Sequence, residues 1–336
     1  MEKIKLAYFG SPDFAADFLE ELMTDTSMYR YIEVKLVVTQ PDQKVGRKQI
    51  LTPTPVKIIA EKYKKSEDTK FFAVYCFPSK NFGIELKNID LALVYAFGDL
   101  IPKELLSLPK YGFWNIHPSL LPKYRGPSPI AAPLINGDKI TGVTIIKMDE
   151  EIDHGPIIAQ ESLTIDQDDK RPDLEKKLTD LAFEMIKKII KTGVEGLGIP
   201  TARSRGILSE ASTDGKRHET GPVFRLIEQN HKEATYTKKL SKQDGFIEFN
   251  KLKKLFHLTT SHQSLVTLSN LFRGLFPWPG IWKTIKPIQP GRLDEAKRLK
   301  ITDLEFVNKK LIIKKVQLEG KNEVDFETFN KAYKIF

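Results

Sequence analysis

Residues 4–23 read IKLAYFGSPDFAADFLEELM, and the change of pattern inside this stretch decides the fold. The first seven residues are a near-continuous apolar run closed by Gly10, as in a strand buried on both faces. Ser11 then stands where a helix cap belongs, Pro12 fits a first turn, and apolar residues follow at helical spacing. The alternation repeats downstream. EVKLVVTQ (33–40), FFAVYCF (71–77), IDLALVYAFG (89–98), GFWNIHP (112–118) and GVTIIKMD (142–149) read as strands. TPTPVKIIAEKY (52–63) reads as a Pro-started helix and DLEKKLTDLAFEMIKKIIKTG (173–193) as a long amphipathic helix closed by Gly193. Strands alternating with helices argue for an α/β domain with a doubly wound, mostly parallel sheet over 1–198. The next stretch, TARSRGILSEASTDGKRHETGP (201–222), is polar and aperiodic, so 199–233 reads as a linker. Beyond it, DGFIEF, GIWKTI, RLKITDLEFV, KKLIIKKVQLEG and EVDFETF are short β-type runs separated by turn residues. They predict a small all-β domain over 234–336, a barrel.

The composition is that of an ordinary globular chain: 336 residues, 40% hydrophobic and 29% charged. A single cysteine, Cys76, excludes an internal disulfide and a cysteine-rich metal site. The amino terminus lacks a signal-peptide pattern, and no apolar run approaches the roughly 18 residues of a membrane span. A cytoplasmic protein without a membrane partner is expected. The net charge of +9 is unevenly placed. The last 105 or so residues hold roughly ten more Lys and Arg than Asp and Glu, which fits either a polyanion-facing domain or a merely solubilising surface.

The chemistry concentrates in FWNIHPSLLPKYRGPSPI (113–130). Residues i and i+2 of a strand share a face, so Asn115 and His117 project together at the carboxyl end of the fifth predicted strand. Ligands of open α/β sheets bind at such ends, although an Asn–His pair can also simply fix the following turn. After the sixth strand, MDEEIDHGPI (148–157) offers Asp149, Glu150, Glu151, Asp153 and His154 on one loop. A carboxylate from that loop beside His117 would set its tautomer and support its protonated form. There is no Walker loop, no Gly-x-Gly-x-x-Gly and no His-Glu-x-x-His, and the six histidines are scattered; no metal is expected. Ser119 lacks the strand–nucleophile–helix elbow of a serine hydrolase. A carboxamide, an imidazole and a carboxylate without a nucleophile suit direct attack by a substrate's own nucleophile on a carbonyl.

Asn-x-His followed by SLLPKYRGPSPI, and then GVTIIKMDEEIDHGPI, closely resembles the folate-dependent formyltransferase family. FGSPDFA (9–15), TQPDQKVGRKQILTPTPVKIIAE (39–61), ATYTKKLSKQDGFIEF (234–249) and FRGLFPWPGIW (272–282) resemble the branch that formylates a charged tRNA. The resemblance implies a Rossmann-like catalytic domain followed by an OB-like barrel that faces tRNA, in a monomer. It implies formyl transfer from 10-formyltetrahydrofolate to the α-amino group of methionine on initiator tRNA. It assigns Asn115, His117 and Asp153 to catalysis. Folate is expected on Tyr95, Ala96, Phe97, Gly98 and Leu100, on Ser119, Leu120, Leu121 and Pro122, and on Met148, Asp149 and Ile152. Lys44, Arg47 and Lys48 are expected on acceptor-stem phosphates. Trp278 and Trp282 are expected in the core of the second domain rather than as a base-stacking platform.

Three features depart from the family pattern. Glu151 stands where the family has Gly, Phe97 where it has Tyr, and both HLTTSHQSLVTLSN (257–270) and the linker are longer than usual. The competing expectations are a formyltransferase acting on an amino-sugar nucleotide, a hydrolase of 10-formyltetrahydrofolate, and a non-catalytic RNA-binding relative. The basic loop and basic tail argue against the first, because a small sugar nucleotide needs no such footprint.

Overall fold

The computed structural model describes residues 3–46, 48–64, 73–77, 82–192, 226–248, 262–285, 296–307 and 310–333. The chain divides into two compact units. Met1–Pro127, Gly142–Leu163 and Lys176–Tyr236 make the first; Ser128–Thr141, Thr164–Glu175 and Thr237–Phe336 make the second.

The first unit is built on a seven-stranded sheet. Its strands are β1 (Ile4–Gly10), β2 (Ile32–Thr39), β5 (Ala73–Cys76), β6 (Leu91–Tyr95), β7 (Phe113–His117), β8 (Ile140–Lys147) and β9 (Ile157–Thr164), in the order β5-β2-β1-β6-β7-β8-β9. Pairing is parallel from β5 through β7 and turns antiparallel at β7–β8. β1 and β6 lie at the centre, and their buried runs explain the absence of polar alternation in their sequences. Leu6 and Tyr8 face one side of the sheet, Ala7 and Phe9 the other. Tyr8 stacks on Phe18 of α1 (Asp13–Thr24), whereas Phe9 packs edge-on against Phe97 and Phe113. The long helix α6 (Arg171–Thr192) presents Leu178, Ala182, Ile186 and Ile190 to the core at intervals of four, the spacing of a single helical face.

Ser11 does not cap α1. Pro12 holds the cap position without a side-chain hydrogen bond, and the Ser11 hydroxyl instead donates to the Phe97 carbonyl at 2.9 Å. This bond ties the loop after β1 to the loop after β6, where strand order reverses and the crevice of a doubly wound sheet opens. The basic loop, expected without regular structure, is a small hairpin of β3 (Gln43–Val45) and β4 (Ile50–Thr52), followed by α2 (Pro55–Lys64). Both hairpin strands are exposed throughout, so neither shows the alternation that marks a strand in sequence. β9 also extends the sheet beyond the expected last strand. Short helices α3 (Phe82–Leu86) and α4 (Lys103–Leu106) complete the connections of this unit.

The second unit contains the expected antiparallel sheet, four strands among the described residues. They are β10 (Ile281–Ile285), β11 (Lys297–Val307), β12 (Lys310–Leu318) and β13 (Glu323–Asp325), paired in chain order. Residues 249–261 and 286–295, which the barrel expectation also covers, lie outside the described residues. Among the described residues, three helices accompany the sheet: α5 (Ala131–Asn136), α7 (His262–Leu275) and α8 (Phe326–Tyr333). α7 occupies much of the long insertion and places Leu268, Phe272 and Leu275 in the core with Ile281, Leu299 and Val316. EVDFETF is strand only to Asp325, because Phe326 opens α8 and sends Phe329 inward at helical spacing. DGFIEF is a 3₁₀ turn at Lys242–Gly245, after which Phe246 forms an isolated bridge with Trp282. Trp278 is not core: carried between Pro277 and Pro279, it is 47% exposed. Trp282 is half-buried, its indole N–H donating to the Lys242 carbonyl at 2.8 Å and the Arg298 guanidinium lying over its ring.

Of the expected linker, residues 199–225 lie outside the described residues. Residues 226–236 belong to the first unit, held by paired backbone bonds between Ile157 and Ile227 and by Arg125 N–H on the Thr235 carbonyl. No helix among the described residues is long and apolar enough to cross a membrane.

Candidate active site

β7 ends at His117, and the proline-rich turn after it bends back over the strand end. The turn contains a cis Leu121–Pro122 bond, and Tyr124 and Gly126 adopt positive φ of 62° and 99°. This path brings the Tyr124 carbonyl to 2.9 Å from His117 Nε2 and the Gly126 N–H to 2.7 Å from Asp153 Oδ2. A carbonyl only accepts, so Nε2 carries the hydrogen.

Asp153 arrives from the loop between β8 and β9, in the left-handed region at φ 51°. For an L-residue that conformation costs roughly 1–2 kcal/mol, and it survives where surrounding contacts enforce it. Its Oδ1 accepts from Asn115 Nδ2 at 2.9 Å and lies 3.4 Å from His117 Nδ1. Asn115, His117 and Asp153 are therefore mutually adjacent within the first unit. The carboxylate, an acceptor only, turns the Asn115 amide so that its NH₂ faces the cluster, leaving a second hydrogen on that nitrogen. With Nε2–H given to Tyr124, a proton on His117 Nδ1 makes an imidazolium whose charge Asp153 balances. Burial pushes the Asp153 carboxyl up, but the His117 ring, the Gly126 N–H and the Arg125 guanidinium outweigh it and hold the carboxyl below its ordinary value.

The remaining loop carboxylates are differently engaged. Asp149 Oδ2 lies 2.7 Å from His154 Nδ1, Glu150 pairs with Lys103, and the Glu151 side chain is 74% exposed. Glu151 does not adopt positive φ, so its backbone does not require glycine, and its exposed side chain does not crowd the loop.

The residues expected on folate divide into two sets. Tyr95, Phe97, Ser119 and Leu121 are buried, and their side chains are occupied elsewhere. The Tyr95 hydroxyl pairs with Thr179, Phe97 packs on Phe9 and Phe77, Ser119 donates to the Lys123 carbonyl, and Leu121 packs with Ile146 and Ile157. At 0–3% exposure these four residues present almost no surface to a ligand, and the Phe97, Ser119 and Leu121 carbonyls already accept from Ser11, Thr144 and Gln160. Ala96 and Gly98 follow β6 with φ of 50° and 88°. Leu120 and Pro122 are half-buried, while Leu100 and Ile152 are 77% and 58% exposed. Met148 is partly buried against the core, its N–H on the Phe113 carbonyl, and Asp149 is held by His154.

Of the basic residues, Lys44 and Lys48 are exposed on the β3–β4 hairpin, alongside exposed Val45, Ile50 and Leu51; Arg47 lies outside the described residues.

Sequence reasoning missed a buried pair behind Asp153. Arg125 is 2% exposed and Gln229 5%. Arg125 Nη2 donates to Gln229 Oε1 at 2.7 Å and to His231 Nδ1 at 2.8 Å. Gln229 Nε2 in turn donates to the Asp153 carbonyl at 2.9 Å and the Gly155 carbonyl at 2.8 Å. The only available signal was the charge of Arg125 inside a turn; Gln229 sits in a polar run with no periodicity.

Residues 2–190 match the formyl transferase family, over half of the chain, and the chain belongs to that family. It is similar along nearly its whole length to methionyl-tRNA formyltransferases. It is 32% identical to the one from Caldicellulosiruptor saccharolyticus over 98% of this chain and 97% of the relative. Identity to the one from Staphylococcus aureus strain JH1 is 31%, over 95% and 93% of the two chains. Among solved structures, a 4-N formyltransferase from Francisella tularensis superposes with TM-score 0.55 at 19% identity, covering 84% of this chain and 93% of that one. An N-formyltransferase from Helicobacter canadensis, solved with folinic acid and dTDP-3-aminofucose, gives 0.52 at 19% identity over 94% and 95%. Both likenesses show the fold.

Proposed function

We propose that this chain transfers the formyl group of 10-formyltetrahydrofolate to the α-amino group of methionyl-initiator tRNA. The observation that carries the reading is the junction of Asn115, His117 and Asp153, in which none of the three is a nucleophile activated for attack. A free α-amine titrates near 7.7–8.0 in reference compounds, so a useful fraction is neutral at about pH 7 and attacks the formyl carbon directly. The second amide hydrogen of Asn115 holds the oxyanion that develops on the formyl oxygen. His117, with Nε2 on Tyr124 and Nδ1 toward Asp153, contributes positive charge beside it. Asp153 balances that charge and, through water, helps carry the amine's proton to the departing folate nitrogen. Backbone of the exposed residues Gly98–Leu100 and Glu150–Ile152 supplies hydrogen-bonding groups for the pterin, with Leu100 and Ile152 as apolar cover. The first unit, to which 226–236 return, acts as the catalytic domain, and the unit that holds the chain from Thr237 onward as the tRNA-facing domain.

Near-complete coverage by methionyl-tRNA formyltransferases at 31–32% identity supports tRNA over a sugar nucleotide as the acceptor. The structures of sugar formyltransferases that this chain resembles are distant in sequence, at 15–19% identity. The test offers the protein 10-formyltetrahydrofolate with methionyl-initiator tRNA, an amino-sugar nucleotide, or water alone. Formyl transfer to the charged tRNA is expected; transfer only to the sugar or to water would reject the reading.

The hairpin has its own consequence. Lys44→Ala and Lys48→Ala together are expected to weaken tRNA binding while leaving folate binding intact. Each lysine–phosphate pairing that is removed makes the fall of log affinity with log salt shallower by about one unit of slope. Filter binding over a salt series measures this. Unchanged affinity and slope would remove the hairpin from the tRNA footprint.

A further inference from the structure

We propose that Gln229 is a positioning residue for the reaction, acting on Asp153 through the backbone rather than through the carboxylate. The inference rests on the formyl-transfer reading above but reaches a residue with no side chain in the junction itself.

Asp153 must hold three partners at once: the Asn115 amide, the His117 ring and the Gly126 N–H. It does so from a left-handed backbone conformation on an irregular loop. Its side chain therefore points correctly only while its own peptide is held. Gln229 supplies that hold. Its Nε2 donates both of its hydrogens, one to the Asp153 carbonyl and one to the Gly155 carbonyl, bracketing the turn that aims the carboxylate. The amide cannot rotate without breaking these bonds. Its Oε1 receives Arg125 Nη2 at 2.7 Å and Nε at 3.3 Å, and Arg125 is itself buried. A guanidinium only donates, so it fixes which end of the Gln229 amide faces the loop and also fixes His231 Nδ1 as an acceptor. Arg125 directly precedes Gly126, so the turn that gives a backbone donor to Asp153 also orients the side chain holding the Asp153 backbone. The chain 226–236 becomes a wall of the active site, brought there by the Ile157–Ile227 backbone pair and by Thr235, whose carbonyl accepts from Arg125 N–H. A glutamine serves here and a glutamate does not, because one end must accept from an arginine while the other donates to two carbonyls.

The experiment uses Gln229→Glu, which keeps the acceptor for Arg125 but turns a carboxylate toward the two carbonyls, and Gln229→Met, which keeps the volume and loses both functions. The expected result in steady-state formylation of methionyl-initiator tRNA is a fall in kcat of about 100-fold, since misplacement by about 1 Å costs that much. KM for both substrates stays within about threefold, and the thermal midpoint falls, because Gln229→Glu turns a buried carboxylate toward two carbonyl oxygens that lose their donors. In an Asp153→Asn background the same substitution adds almost nothing, because its route of action is already gone. A carbon-13 titration of the Asp153 carboxyl reads the same event without activity: its midpoint rises in both variants as the His117 and Gly126 contacts loosen. In the wild-type protein, the Gln229 side-chain amide hydrogens exchange slowly, a measurement that needs no variant to fold. Fully additive losses in the double variant, an unmoved Asp153 titration, or fast exchange of the wild-type amide would each overturn the proposal. If the wild-type chain formylates no acceptor, the functional reading falls, while the titration and exchange results still decide the positioning role.

Discussion

Replacing Asn115 with Ala is expected to lower kcat for formyl transfer by about 10²–10³-fold, the usual cost of one oxyanion donor. The loss falls on kcat rather than on KM, because the hydrogen bond strengthens only as the carbonyl oxygen becomes an anion. His117→Ala is expected to lose at least about 100-fold by a related route, because the proposed mechanism places the imidazole beside the oxyanion. It also removes the His117 ring from the Tyr124 carbonyl and from the Asp153 carboxylate. Asn115→Ala is the cleaner variant, since Asp153 keeps the Gly126 N–H and His117. Steady-state kinetics at saturating folate and tRNA measure both. Rates within tenfold of wild type in both variants would remove these residues from the chemistry.

Gly155→Ala is expected to damage activity nearly as severely from a position with no functional group. A Cβ at Gly155 would stand 1.8 Å from the Lys147 carbonyl oxygen and 3.0 Å from its carbon. Those are backbone atoms at the end of β8, and the Lys147 N–H is itself bonded to the Pro156 carbonyl at 3.0 Å. The strand cannot retreat, so the loop must, and Asp153 moves with it. Overpacking of this kind costs roughly 1–3 kcal/mol of stability, and misplacement of the carboxylate by about 1 Å costs on the order of 100-fold in rate. Thermal unfolding together with the formylation rate tests this. An alanine variant with wild-type rate and midpoint would mean that the close approach at Gly155 does not set the loop.

The sheet was legible because its central strands carry their burial in their composition. β1 and β6 are apolar on both faces, and the switch to helical spacing after Gly10 announces the crossover. Asn115 and His117 were legible as a pair because strand geometry alone puts i and i+2 on one face. Asp153 was not separable by residue type from Asp149, Glu150 and Glu151; only the family resemblance singled it out. Three dimensions separate them physically, giving Asp149 to His154, Glu150 to Lys103, an exposed Glu151 to the far side of the His154 ring and Asp153 to the buried junction. The partnership of Arg125 with Gln229 spans 104 residues and joins a turn to a polar stretch, so no local pattern encodes it. The same limit applied to Ser11, whose local context favours a helix cap but whose hydroxyl is taken by the Phe97 carbonyl 86 residues away. Side chains at the ends of strands posed a subtler problem. Tyr95 and Phe97 stand where a ligand is expected, yet both are buried, and the Phe97 carbonyl is already taken by Ser11.

In the proposed mechanism the acceptor's own amine attacks a formyl carbon whose oxygen is held by Asn115 beside His117, and no formyl group passes to the protein. A rapid-quench single turnover with label in the formyl group of 10-formyltetrahydrofolate tests it most directly, with protein in excess and methionyl-initiator tRNA as acceptor. Label is expected to pass from folate to RNA in one exponential step, slowed at least about 100-fold in Asn115→Ala, with none in the protein fraction at any time. Label that accumulates on protein before reaching RNA, or a single-turnover rate unchanged by Asn115→Ala, would contradict it.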